Sequence, residues 1–202
     1  MDFSFHIYNK LAADGAAMAL DRLLSTVFCQ KNEKSIGAGM ELTDFTAPPV
    51  VVCIGSDLAI GDSLGPITGS MLKYKTQGLN SFLYGTLGSP VTAKEIRYIR
   101  TFLKETHKDS PIIAIDAAVG DKGDIGLIRL LDTPLYPGAG ANKKLGAIGD
   151  ISILGIVAEK SLTNYGLLNT TRLNLVYSMA EIISDALSAL LWNREGKQIK
   201  NA

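Results

Sequence analysis

Short runs of β-branched and small apolar residues recur along this chain, the first two closed by Gly55 and Gly85, and between the runs apolar residues return every third or fourth place among polar ones. The clearest case is residues 48–66, PPVVVCIGSDLAIGDSLGP. Val50, Val51, Val52, Cys53 and Ile54 form an uninterrupted apolar run, the signature of a strand buried on both faces. Gly55 ends it, and Gly55 and Gly61 bracket a turn that delivers Asp62. Leu64, Ile67, Met71 and Tyr74 then fall at helical spacing, with Pro66 in the first turn, where an amide has no intrahelical partner. This predicts a helix over roughly 63–76, with Asp62 at a strand–turn–helix junction, where open α/β sheets build their sites.

The same grammar repeats. Leu11 to Phe28 reads as a first helix, with Ala16, Leu20, Leu23, Leu24 and Val27 on one face. Residues 30–41, QKNEKSIGAGME, read as a polar, Gly-rich surface loop. Ser81 to Tyr84 is a short strand, followed by GTLGSP at 85–90. Thr92 and Glu95 fit a capping box, and Ile96, Ile99 and Leu103 give the buried stripe of the next helix. Residues 111–115, PIIAI, form a strand that delivers Asp116, with a turn at 121–124 and another strand from Ile125 to Leu131. Residues 135–144 form a Gly-rich loop, and Ile151 to Val157 a further strand. Thr170 or Thr171 can cap a last helix, whose stripe is Leu173, Val176, Ala180, Ile183, Leu187 and Leu190, with a polar, frayed tail after Trp192.

Strands alternating with helices through short connections imply right-handed βαβ units. The expected fold is α/β, a three-layer α/β/α sandwich with a mostly parallel sheet of about five or six strands. No repeat or second domain is evident: 1–202 reads as one domain, with 1–45 a helix-and-loop appendage and 46–192 the core.

Composition narrows the classes. Hydrophobic residues make up 47% and charged residues 20% of the 202, which argues against global disorder. Twenty basic and 20 acidic residues cancel, so no field of one sign points to nucleic acid or an anionic membrane. The N-terminus lacks a signal-peptide pattern and no apolar run is read as a membrane span, so a soluble, cytoplasmic protein is expected. Cys53 lies in the buried run and Cys29 before a polar segment, which is not a disulfide framework.

The candidate chemistry centres on Asp62 and Asp116. Both follow buried strands and precede small residues, and adjacent parallel strands would bring them to one rim. Two close carboxylates cannot both ionise easily, so one serves as base and the other as acid towards water. The plainer reading, that Asp62 caps its helix and Asp116 closes a turn, stands beside it. Asp57 and Asp150 read as turn or cap residues. The loop 138–146, GAGANKKLG, lacks both a P-loop ending and a dinucleotide fingerprint. His6 and His107 have no ligand-spaced Cys or His, no nucleophile elbow is present, and Cys53 sits inside a strand. No cofactor or metal is expected.

Five segments in order, CIGSDLAIGDSLGP, YGTLGSPV, IDAAVG, PGAGANKKL and IGDISILGIV, resemble the YyaC-type sporulation protein family, a group labelled as spore proteases by similarity. The resemblance runs from about Pro49 to about Ile183. More distantly, the chain is similar to the germination protease of spores, an aspartic-type endopeptidase acting on small acid-soluble spore proteins. Asp62 to Pro66 fits that family's Asp-Ala-Leu-Gly-Pro segment with Ser63 for Ala, and Ile115 to Ala117 fits its Ile-Asp-Ala segment. Pro137 to Gly140 fits its Pro-Gly-Ser-Gly loop, with Ala139 for Ser. The resemblance thus implies that the two catalytic aspartates are Asp62 and Asp116. Hydrogenase maturation endopeptidases share the implied fold and recognise a nickel-loaded precursor through acidic residues and a His. Two of those ligands are similar in placement to Asp62 and Asp116, and the His has no counterpart here.

The resulting expectation is a sporulation-associated peptidase of the forespore or mother cell that hydrolyses peptide bonds with an aspartate pair. Gly55, Ser56, Gly85, Thr86, Gly138 and Gly140 would line the substrate site, with backbone amides near Gly85–Gly88 or Gly138–Gly140 steadying an oxyanion. The partner is a protein or peptide substrate, and a homo-oligomer stays open. The alternatives are an inactive protein-binding module of the same fold and a metal-dependent maturation-type endopeptidase.

Overall fold

A computed structural model describes residues 1–35, 47–79, 81–138, 145–160 and 171–201. Six strands form a single sheet: β1 (Asp2–His6), β2 (Val50–Cys53), β3 (Phe82–Tyr84), β4 (Ile112–Gly120), β5 (Leu127–Leu131) and β6 (Ile151–Glu159), in the order β1-β5-β6-β4-β2-β3. Helices α1 (Ala12–Ser35), α2 (Leu64–Lys75), α3 (Ile96–Thr106) and α4 (Leu173–Asn201) cover its faces. The neighbours β3, β2, β4 and β6 run parallel, whereas β5 is antiparallel to both β6 and β1. The architecture is the expected three-layer α/β/α sandwich around a mostly parallel sheet.

Strand pleating divides the core, because successive side chains point to opposite faces. Val51, Cys53, Ile113 and Ile115 pack with α1, α2 and α4 on one side. Val50, Val52, Ile54 and Ala114 pack on the other with Ile96, Ile99 and Leu103 of α3. Burying each such side chain contributes on the order of 2 kcal/mol, so the stripe on α3 suffices to hold that helix to the sheet. The capping box forms: the Thr92 amide donates to Glu95 Oε2 at 3.0 Å and the Lys94 amide to Thr92 Oγ1 at 3.3 Å. It closes the turn just ahead of α3 rather than its first residue.

Several elements depart from the sequence expectation. Residues 2–6, read as part of an appendage, form the edge strand β1, and Leu20, Leu23 and Leu24 of α1 are fully buried in the main core. Gly15 makes room for this: a Cβ there would stand 2.6 Å from the ring of Phe5, so β1 and α1 pack in direct contact. The polar tail after Trp192 continues α4 to Asn201. Leu173, counted in the buried stripe, is exposed at the start of that helix. Leu173–Gly196 is also long and apolar enough, by length and composition, to cross a membrane, contrary to the expectation that no such run exists. Half of its most apolar 18-residue window is buried inside the fold, where α4 packs on α1 and α2, as in a core helix. Its acidic residues Glu181 and Asp185 break up the run to the eye; Asp185 pairs with Lys75 of α2 at 2.7 Å.

Candidate acid pair at the sheet rim

β2 ends where the site begins. The Ile54 amide donates to the Ile115 carbonyl at 2.7 Å, the last backbone bond between these neighbours, and Asp116 is the next residue of β4. Asp116 was expected at the end of its strand. Instead β4 runs on to Gly120, with Asp116 opposite Leu154 and Ala117 opposite Gly155 of β6. Asp116, with its plainer reading as the residue that closes a turn, and the small residues after it are strand because β6 is there to pair them.

Asp62 arrives from the other side of the same gap. It sits in a single 3-10 turn, Gly61–Ser63, packed against β4. The turn is wound tightly: the Asp62 amide donates to the Ala59 carbonyl at 3.0 Å, and Ser63 Oγ donates to the Ile60 carbonyl at 2.6 Å. The N-cap position of α2 belongs to Ser63, without a side-chain cap bond, and Asp62 stands one place before it. Gly65 lets α2 start directly on the sheet, since a Cβ there would meet the Ile54 carbonyl oxygen at 2.0 Å.

The two carboxyls feel each other. Asp116 is buried, with 9% of its surface exposed. Burial pushes its pKa well above the ordinary carboxylate range, and the negative charge of Asp62 pushes it further the same way. The Ala117 amide, donating to Asp116 Oδ1 at 2.9 Å, pulls in the opposite direction without cancelling the rise. The result is a partly buried carboxyl, Asp62, near enough for its charge to act on a buried one that favours its protonated form. Such a pair can take a proton from water at one member and deliver one from the other.

The remaining residues of the expected site divide. Gly55 and Ser56 lie in the loop that carries Asp62; the Ser56 amide donates to the Asp62 carbonyl at 3.0 Å, and Ser56 Oγ accepts from the Leu58 amide at 3.2 Å. Gly85 is a packing position: its φ is +89°, and a Cβ would stand 1.9 Å from the Cys53 carbonyl oxygen. Thr86 and Ser89 exchange backbone bonds of 3.1 and 3.2 Å, and the Leu87 amide donates to Ser70 Oγ at 2.9 Å. The Thr86 and Leu87 amides are therefore engaged and do not point at an oxyanion. Gly138 has a φ of +72°, in the arm that follows the Leu135–Ile148 bridge. Gly140 lies outside the described residues.

The other candidates fall elsewhere. Asp150 is at the amino ends of β4 and β6, where its Oδ2 accepts from the Ile112 amide at 2.8 Å. Asp57 is exposed in the loop before Asp62. His107, expected to be partly exposed, is buried behind β3; its Nε2 meets the Tyr84 hydroxyl at 2.8 Å, and its ring stands 4.4 Å from that of Phe82. His6 is on the edge strand β1, so neither histidine accompanies the acid pair. Among the described residues no group of three or more His, Cys, Asp or Glu is placed to hold a metal ion. Cavities of about 550 Å³ between α1 and α4 and about 490 Å³ beside β1, β6 and the start of α4 are not lined by either acid. Sequence reasoning missed both, since each joins elements far apart in the chain.

Residues 28–186 match the family model described as "Protein of unknown function (DUF1256)". The chain is 43% identical over 142 residues to the uncharacterized protein YyaC of Bacillus subtilis (strain 168), covering 70% of this chain and 68% of that one. Among solved structures, it is similar to the [NiFe] hydrogenase maturation protease HycI from Thermococcus kodakarensis KOD1, with a TM-score of 0.41 and 17% identity over 70% of this chain and 92% of that one.

Proposed function

The chain belongs to the DUF1256 family, and on that footing we propose that it is a sporulation-associated peptidase that hydrolyses peptide bonds with Asp62 and Asp116. The observation that carries the reading is the acid pair itself: a buried Asp116 whose carboxyl is held above the ordinary range by burial and by the charge of Asp62. Structural ion networks also perturb carboxyls, but they do so by joining opposite charges, whereas Asp116 is raised by burial first and then by a second carboxylate of the same sign, which supports this reading.

In the proposed reaction a water molecule between the carboxyls loses a proton to Asp62, the less buried member, as its oxygen attacks the scissile carbonyl carbon. Asp116 gives its proton to the amide nitrogen as the carbon–nitrogen bond breaks. The products are a free carboxyl and a free amine, and a proton passed from Asp62 to Asp116 restores the starting state. The sporulation setting, in the cytoplasm of forespore or mother cell, rests on the resemblance to the YyaC-type family.

The purified chain is to be incubated with a forespore extract and new peptide termini read by mass spectrometry. Asp62→Asn and Asp116→Asn should each slow cleavage by about a hundredfold or more, the usual loss on removing an acid–base group. Cleavage that persists in both variants overturns the aspartate mechanism. A partner held stably and left uncut would favour an inactive binding module instead.

A further inference from the structure

β4 outruns one of its two neighbours. On the β6 side it is paired from Ile113 to Gly120; on the β2 side pairing stops at Cys53 opposite Ile115, with the bond from Ile54. Backbone groups of successive strand residues point to alternate sides of the strand. The bonds from Val50 to the Pro111 carbonyl and from Ile54 to the Ile115 carbonyl put the odd-numbered residues of β4 on the β2 side. The bond from Lys160 to the Gly120 carbonyl puts the even-numbered ones on the β6 side. Beyond Ile115, the odd positions are Ala117 and Val119. The Ala117 amide is taken by Asp116 Oδ1. The Ala117 carbonyl and both backbone groups of Val119 have no partner on that side among the described residues. β4 is paired on both sides up to Ile115, so among the described residues the gap on its β2 side is an interruption inside the sheet, beginning one residue from Asp116.

An unpaired strand edge carries a repeating donor–acceptor pattern that an extended backbone matches. The two loops at the carboxyl ends of β2 and β3 add a second feature. Leu58 is 93% exposed, and Ile60 and Leu87 also show much of their apolar surface. Leu58 and Ile60 lie four and two places before Asp62, and Leu87 follows β3. The charges in the loop before α2 are those of Asp57 and Asp62, so an acidic side chain would be repelled beside the pair.

We infer that the open edge of β4 at Ala117–Val119 binds its substrate as an added strand: an extended segment rich in neutral, apolar residues, lying where β2 would have continued. This rests on the hydrolytic reading of Asp62 and Asp116 and names the substrate class for that site. The backbone bonds hold the segment in one register, and the exposed leucines and Ile60 receive alternate side chains. The scissile bond then lies over the acid pair, one residue back along β4.

The test uses the full chain carrying Asp116→Asn, so that binding is read without turnover. The probe is a library of ten-residue peptides built from Ala, Val, Leu, Ser, Thr and Gly. Bound members should slow hydrogen exchange of the Val119 amide at least tenfold. Adding Val119→Pro removes that donor while its β6-side ladder stays intact, and should weaken binding about tenfold; N-methylation of the probe should weaken it at alternate residues only. Leu58→Ser keeps the edge and should shift side-chain preference, a control independent of any strain from proline. Failure of any library member to bind, or binding indifferent to both Val119→Pro and N-methylation, overturns the proposal. Edge binding with no cleavage by the unmutated chain would sink the hydrolytic reading alone. Cleavage without Val119 protection would sink the added strand alone.

Discussion

The carbonyl oxygen of Asp62 accepts a hydrogen bond from the amide of Ser56 at 3.0 Å, and this bond closes the loop that carries the acid back onto the end of β2. The loop can close so tightly because residue 55 is glycine. Its φ is +143°, and a Cβ there would stand 2.1 Å from that same Asp62 oxygen. The position of one carboxyl is thus set by the absence of a side chain seven places earlier.

Gly55→Ala should therefore cost stability and displace Asp62 together. A strained positive φ and a backbone clash put the loss at about 2 kcal/mol or more. Urea unfolding would measure it. An alanine variant as stable as the parent would mean that the loop has another way to close.

The raised pKa of Asp116 makes stability depend on pH in a defined direction. Between the ordinary carboxylate value and the raised one, the folded chain holds a proton that the unfolded chain has lost. Stability should therefore fall as pH rises through that window and level off above it. Asp116→Asn has no proton to lose and should flatten this decline, as should, in part, Asp62→Asn, which removes the second cause. Denaturation midpoints across acid to neutral pH would show it; parallel curves for parent and Asp116→Asn would refute the assignment.

The two thiols should behave differently. Cys53 is fully buried in β2, and burial pushes its thiol far above the ordinary range, whereas Cys29 is exposed. Only thiolates react readily, so iodoacetamide should add once to the native chain and twice after unfolding. Rapid double addition to the folded protein, read by intact mass, would contradict the buried strand.

Behind β3, the Tyr84 hydroxyl and His107 Nε2 partner each other at 2.8 Å. Tyr84→Phe should destabilise by about 1 kcal/mol, the usual worth of one such bond. Burial lowers the pKa of His107, so the unfolded chain takes up a proton first on acidification. The stability that comes from keeping this ring neutral is complete above the ordinary imidazole value and lost as pH falls from there towards the lowered one. A nuclear magnetic resonance titration that places His107 above the ordinary value would overturn this.

What the chain's own pattern determined was local. The strand at 50–54, the helix after Asp62 and the stripe on α3 follow from spacing within a dozen residues, because burial on one or two faces imposes a period that neighbours along the chain display. The candidacy of Asp62 and Asp116 was legible for the same reason: each follows an apolar run and precedes small residues. Tertiary structure decided the rest, where the deciding partner is remote in sequence. DFSFH is too short to declare itself a strand, and becomes one only because β5 offers an edge and Gly15 leaves space for Phe5. The strand read at 111–115 runs on to Gly120 only because β6 pairs with those further residues. The proximity of the two acids, 54 positions apart in the numbering, depends on β2 and β4 lying side by side and on β2 stopping first. Hydrogen bonding between strands is blind to sequence distance, so no local period could have announced it.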